Sequence, residues 1–116
     1  MQRPAATAGM RHIALNVQDL ETAEHFYVNL LGMEIEWRPD ADNVYLTSGN
    51  DHLALHRSGH AGDSGAQLLD HIGLTRTPPG DVDAWYRFLN ANDIEMTTEP
   101  RTQRDGARSF FCVGPE

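Results

Sequence analysis

The stretch HIALNVQDLETAEHFYVNLLGMEIEW, residues 12–37, has a counterpart later in the chain. When His12 is set over His71, aromatic, aliphatic and acidic residues coincide without a gap until Trp37 lies over Met96. The matched pairs are Phe26 with Trp85, Tyr27 with Tyr86, Leu30 with Leu89, Ile35 with Ile94 and Glu36 with Glu95. A repeat of this length indicates a duplicated structural module.

Each copy begins with a short strand and continues into a helix. RHIALNV (residues 11–17) and DHIGLTR (residues 70–76) have the alternating character of strands. In the first copy Asp19 can cap a helix, and Gly32 suits its left-handed exit. In the second copy the sequence predicts a cap at Asp81 and an exit near Asn92, because asparagine also tolerates the left-handed conformation.

Further strands are predicted after each helix, over residues 34–38, 43–47 and 52–57 in copy one and residues 94–99 and 108–113 in copy two. The stretch RTQRDG lies between the last two, and the third strand of copy two would begin beyond Glu116. The sequence therefore predicts an α+β fold of two tandem βαβββ modules, the second without its last strand. Their predicted bounds are residues 9–57 and 68–116, with a glycine- and serine-rich linker over 58–67, and together they form one domain.

Composition limits the class of partner. The chain has 116 residues and a net charge of −8, and all nine of its basic residues are arginines. This acidity argues against binding nucleic acid or an anionic membrane surface. One cysteine, Cys112, permits no intrachain disulfide, and the first residues do not resemble a signal peptide. We therefore expect a cytoplasmic protein, and the small core makes a homodimer plausible.

The histidines are the candidate metal ligands of this sequence. Equivalent positions in two copies would let His12 and His71 face one cleft, where two imidazoles suit a divalent first-row metal. The alternative is that each is a half-buried strand residue with a satisfied hydrogen bond. His56 is a candidate third ligand because its strand is predicted to face the same side, although an outward, hydrogen-bonded histidine is the alternative. His52 lies beside a turn and carries less weight, and Glu36 is interpreted as part of a solvated strand face.

The segments HIALNVQDLETAEHFYVNLLGMEIEW, LDHIGLT and FFCVGPE resemble the vicinal oxygen chelate superfamily, which comprises glyoxalase, bleomycin-resistance and extradiol dioxygenase proteins. The resemblance implies curled mixed sheets around a shared metal cleft. It implies ligands at His12 and His71 and a glutamate beyond Glu116. The family's further ligand falls at Ala54, with His56 the nearest ligand-capable residue on that face. Because this scaffold hosts many reactions, the resemblance does not identify one.

Two functions follow as expectations. The first is a metal-dependent enzyme acting on a small oxygen-bearing substrate chelated to Fe, Mn, Ni, Zn or Co, by Lewis-acid catalysis or O₂ activation. Its substrate contacts are predicted to be Tyr45, Phe110, Arg57 and Arg108, with aromatic walls and an arginine for an anionic group. The second is a metal-free protein that binds a drug or antibiotic, for which an acidic chain suits a cationic ligand.

Overall fold

The computed structural model describes residues 2–59, 71–74, 80–104 and 107–115. The chain divides into two compact units, Met1–Gly59 and His60–Glu116. Most of the predicted linker, residues 60–67, lies outside the described residues, as do Asp70, Thr75 and Arg76 of the strand predicted at the start of copy two. In the described part of the chain, no helix is both long and apolar enough to cross a membrane.

The first unit contains a mixed four-stranded sheet. Its strands are β1 (His12–Val17), β2 (Glu34–Asp40), β3 (Asn43–Thr47) and β4 (His52–Arg57), in the order β1-β4-β3-β2. β1 runs parallel to β4, whereas β3 is antiparallel to both of its neighbours. The predicted strands at 43–47 and 52–57 are confirmed, and β2 extends two residues beyond the predicted end.

One helix connects β1 to β2. Helix α1 spans Leu20–Glu24 and continues as a π-helical segment, His25–Leu30. Asp19 caps it as predicted, because its Oδ1 accepts a hydrogen bond from the Thr22 backbone N–H at 3.0 Å. The helical segment ends at Leu30, and Gly32 just beyond it has φ +83°, the left-handed conformation that glycine adopts without steric cost.

The two faces of this sheet differ. Val44, Leu46 and Leu55 are fully buried and lie on the side against which α1 packs. Successive strand residues point to opposite faces, so Tyr45 and His56 project from the other side. The face buried under the helix therefore supplies the core of this unit.

The second unit has less regular structure among its described residues. Helix α2 spans Gly80–Ala91, and two short strands, β5 (Arg101–Thr102) and β6 (Arg108–Ser109), pair antiparallel. Leu89 is buried, and the ring of Tyr86 meets Phe110 edge-on at 5.4 Å between centroids. These contacts attach the helix to the strand segment that follows it.

The two strands predicted for the end of the chain form an irregular antiparallel pairing. Met96 and Cys112 form an isolated bridge, and the Val113 N–H donates to the Glu95 carbonyl at 2.8 Å. The stretch RTQRDG, which separates the two predicted strands, itself contributes a strand residue pair, because β5 occupies its first two residues. Pro100 precedes β5 and lacks the N–H that a continuous ladder would need.

Three local predictions for the second copy were wrong. Residues 71–74 form no strand, whereas β1 obtains its entire ladder from β4, and the described residues of unit 2 hold no counterpart of β4. Helix α2 begins at Gly80, so Asp81 lies in its first turn rather than at the cap. The left-handed residue after α2 is Asp93 (φ 63°), not Asn92.

Candidate functional site

The side of the first sheet away from α1 carries a row of rings, which we call the ring face: Trp37, Tyr45, His52, His12 and His56. Trp37 stacks on Tyr45 with 5.3 Å between ring centroids and 15° between planes. Tyr45 also lies 6.3 Å from His52 and 6.1 Å from His56, and His52 lies 5.6 Å from His12. Every ring therefore contacts another, and the row crosses all four strands.

A β-bulge in β2 brings Trp37 to this face. Ile35 pairs with Leu46, and Trp37 then pairs with Tyr45, with a register shift between them. Leu46 and Tyr45 are successive residues and point to opposite faces, so the extra residue, Glu36, turns Trp37 toward the tyrosine. The sequence alone gives no sign of this bulge, because polar and apolar residues alternate without interruption around Glu36.

Glu36 and His52 form a close contact within the ring face. Oε2 of Glu36 lies 2.7 Å from Nε2 of His52, and both side chains are partly exposed. They border an open depression of about 680 Å³. Its lining residues are Arg11, His12, Glu36, Thr47, Gly49, Asn50, Asp51 and His52. The sequence interpretation assigned no role to Glu36 and little weight to His52, since neither their contact nor the pairing register is visible in one sequence.

The strand register determines which imidazole lies beside His12. β1 and β4 pair with His12 opposite His52, and Asn16 opposite His56. His56 is four residues beyond His52 on β4, and four strand residues span about 13 Å. The structure therefore brings His52, rather than His56, next to His12.

A chain of polar contacts holds His56 instead. Its Nδ1 lies 2.6 Å from Oδ1 of Asn43, whose Nδ2 donates to both carboxylate oxygens of Asp40 at 2.8 and 3.1 Å. The backbone N–H of Asp42 and the Asn43 amide, by donating to Asp40, hold the pKa of that carboxyl below its ordinary value. Because the Asn43 oxygen can only accept, Nδ1 of His56 is the nitrogen that carries the hydrogen in this contact, and in the neutral ring Nε2 then has the lone pair.

The two predicted substrate arginines are paired within the protein. Arg57 donates to Glu21 Oε1 at 2.6 Å and to Asp42 Oδ1 at 2.9 Å. The hydrogen bonds from Arg57 lower the pKa of Glu21, and those carboxylates in turn raise the pKa of the guanidinium. Arg108 makes a bidentate pair with Asp83, with both bonds at 2.7 Å. Either arginine would have to exchange a carboxylate partner for a substrate anion.

The remaining predicted site residues lie in unit 2 or lack a donor atom. His71 meets Phe111 edge-on at 5.5 Å between centroids, and Phe110 packs on Tyr86. Ala54, at the position to which the resemblance assigns a ligand, is 1% exposed and has no donor atom in its side chain. Among the residues the structure describes, no group of three or more His, Cys, Asp or Glu side chains is arranged to hold a metal ion.

Comparison with known proteins agrees with this architecture. A family model described as the Glyoxalase/Bleomycin resistance protein/Dioxygenase superfamily matches residues 9–116. A crystal structure of lactoylglutathione lyase from Agrobacterium tumefaciens superimposes with a TM-score of 0.73 at 20% identity, covering 96% of this chain and 89% of that one. A superfamily protein from Alicyclobacillus acidocaldarius gives 0.68 at 24% identity, with coverages of 93% and 84%. A glyoxalase-related enzyme from Fulvimarina pelagi gives 0.70 at 19%, with coverages of 94% and 82%.

At these identities the solved structures show the fold alone. They confirm the predicted α+β class and the curled mixed sheet of the βαβββ module, which unit 1 displays strand by strand.

Proposed function

Since the chain belongs to the Glyoxalase/Bleomycin resistance protein/Dioxygenase superfamily, we propose that it is a metal-dependent enzyme acting on a small oxygen-bearing substrate. The divalent metal would be Fe, Mn, Ni, Zn or Co, and His12 and His71 would be its ligands. Proteins of this superfamily generally bind divalent metals, which supports the proposal at the level of the family.

The observation that carries the proposal is the position of His12. Its side chain is exposed at the start of β1 on the ring face, beside a second imidazole. His71 occupies the equivalent place in the repeated sequence, 59 residues later. Imidazole nitrogens suit every metal named above, so the donor chemistry fits, although the described residues of the chain contain no group of three or more ligand side chains arranged to hold an ion.

The protein's own residues would bind and orient the substrate. Trp37 and Tyr45 offer a stacked apolar surface against which a planar part of the substrate can pack and exclude water. His56, held through Nδ1, would offer Nε2 to a substrate oxygen or hydroxyl from the same face. A bound metal would supply Lewis acidity or, as Fe(II), O₂ activation.

Phe110, Arg108 and Arg57 remain proposed substrate contacts. Phe110 would add an aromatic wall, and either guanidinium would meet an anionic group once it leaves its carboxylate partner. We also propose that the protein is a cytoplasmic homodimer, because superfamily members often dimerise and a chain of this size gains stability from additional buried surface.

A metal-free binding protein is the second candidate. Trp37 is 61% exposed although it stacks on Tyr45, so a ligand could cover a large aromatic surface there. Ala54 offers no ligand atom, and the net charge of −8 suits a cationic drug or antibiotic. Both functions would use the ring face, and they differ in whether a metal is required.

Metal content separates the two candidates. Untagged protein is analysed by inductively coupled plasma mass spectrometry as wild type, His12→Ala and His71→Ala. His25→Ala, which removes an exposed helix imidazole, is the matched control. The enzyme proposal expects about one metal per chain in wild type and the control, and a loss in both site variants. Wild-type protein without metal, and without thermal stabilisation by any of the five ions, would contradict it and favour the binding protein.

A further inference from the structure

His52 has the surroundings of a metal ligand although it lies in neither repeated strand. It is directly opposite His12 in the parallel β1–β4 pairing, and the two ring centroids are 5.6 Å apart with 43° between planes. Both side chains border the same open depression on the ring face. The β4 residue between His52 and His56 on that face, Ala54, has no donor atom.

The separation of the two rings matches that of imidazoles sharing an ion. A metal–nitrogen bond of about 2.1 Å places each ring centroid roughly 3.2 Å from the metal, so two ligands at a tetrahedral angle have centroids about 5.2 Å apart. The observed distance between the two ring centroids, 5.6 Å, is close to this value. His56, about 13 Å further along the strand than His52, is beyond this range.

Glu36 supplies the outer contact that a ligand histidine usually makes. Its Oε2 lies 2.7 Å from Nε2 of His52. Metal-bound histidines commonly have their other ring nitrogen against a carboxylate, which fixes the tautomer and strengthens the ligand. With Nε2 occupied in this way, Nδ1 of His52 is the nitrogen for the metal. The bulge that turns Trp37 also places Glu36 at this position.

We propose that His12 and His52 together bind a divalent first-row metal on the ring face of unit 1, with Glu36 as the positioning residue for His52. This inference rests on the proposed function for the presence of a metal, and deepens it by assigning a ligand from β4. It makes His52, rather than His56, the β4 imidazole that matters for metal affinity.

The test is a cobalt(II) titration of the full-length untagged protein, followed by visible absorption and by the shift in melting temperature. We expect His12→Ala and His52→Ala each to weaken cobalt binding at least tenfold, and Glu36→Gln to weaken it by about tenfold or more. His56→Ala and His25→Ala should stay within about twofold of wild type. Circular dichroism of each metal-free variant confirms that the fold is kept.

A second measurement needs no substitution. Zinc(II) added to wild-type protein should shift the imidazole carbon-bound proton resonances of His12 and His52 together, and leave those of His56 and His25 in place. This readout covers the case in which His52→Ala does not fold.

The outcomes distinguish this inference from the proposed function. If wild-type protein binds neither cobalt nor zinc, the inference on His52 is overturned, and the proposed function is overturned with it only if iron, manganese and nickel also fail to bind. If it binds metal and His52→Ala binds it as tightly, only the inference on His52 is overturned. If His52→Ala loses the metal while His71→Ala retains it, the inference is supported and the pairing of His12 with His71 is overturned.

Discussion

Replacement of Leu55 by alanine tests whether the covered face of the sheet carries the stability of the first unit. Leu55 is fully buried on β4, the strand that pairs with both β1 and β3. It lies between Ala54 and His56 in sequence but projects to the opposite face, toward α1. The substitution therefore leaves a cavity under the helix and removes nothing from the ring face.

The expected cost follows from that burial. Removing the side chain of a fully buried leucine costs the lost transfer free energy plus a cavity term, together about 3 kcal/mol. At roughly 4 °C per kcal/mol for a chain of this size, the melting temperature should fall by about 12 °C. For a protein with a typical stability of 5–15 kcal/mol, the variant should still fold.

The assay is urea unfolding followed by circular dichroism, with a thermal melt of the same samples. Leu74→Ala is the matched control, because Leu74 is 55% exposed and loses the same atoms. We expect the control to change the free energy of unfolding by less than about 1 kcal/mol. Equal effects of the two substitutions, or an effect of Leu55→Ala below about 1 kcal/mol, would refute the assignment of the core to this face.

Two further predictions concern local structure in the first unit. Gly32→Ala should destabilise the protein by about 1 kcal/mol in urea unfolding, because the residue has φ +83°, whereas Gly73→Ala, which has neither a positive φ nor a close neighbour, should not. The hydrogen bonds from Arg57 lower the pKa of Glu21 in the folded protein. The ion pair therefore stabilises the fold fully above the ordinary glutamate pKa of about 4.3. This stabilisation is lost as the pH falls through the lowered pKa of Glu21 in the folded state. Arg57→Gln should thus narrow the difference in unfolding free energy between neutral and acid solution, and an unchanged pH profile would contradict the pairing.

The features predicted correctly from sequence are those set by neighbouring residues. The cap at Asp19, the left-handed Gly32 and the bounds of β3 and β4 follow from local conformational preference and from alternation along one strand. The βαβββ organisation of the first copy was likewise predicted correctly, because each of its elements has its own pattern of residues along the chain. These signals lie in the chain itself and need no knowledge of which strands pair.

What the sequence could not provide is register between strands. His56 was a candidate ligand because it was predicted to lie on the same face of the sheet as His12. Only the β1–β4 pairing shows that His52 is the residue opposite His12. The bulge at Glu36 was missed for the same reason, since a register shift is a property of two strands and not of one. The strand prediction at His71 failed for a related reason. A strand forms only where a neighbouring strand supplies its hydrogen bonds, and the pattern within one segment does not show whether that neighbour is present.

The pairing of β1 with β4 also has a consequence for how the chain is made. Its partners, such as His12 and His52, are forty positions apart, and among the described residues β4 is the strand that pairs with β1. A nascent chain leaving the ribosome amino-terminus first must therefore hold its first segment unpaired until residue 57 has emerged. Closing so long a loop slows the formation of the β1–β4 pairing. We therefore expect this unit to fold during translation in a single late event.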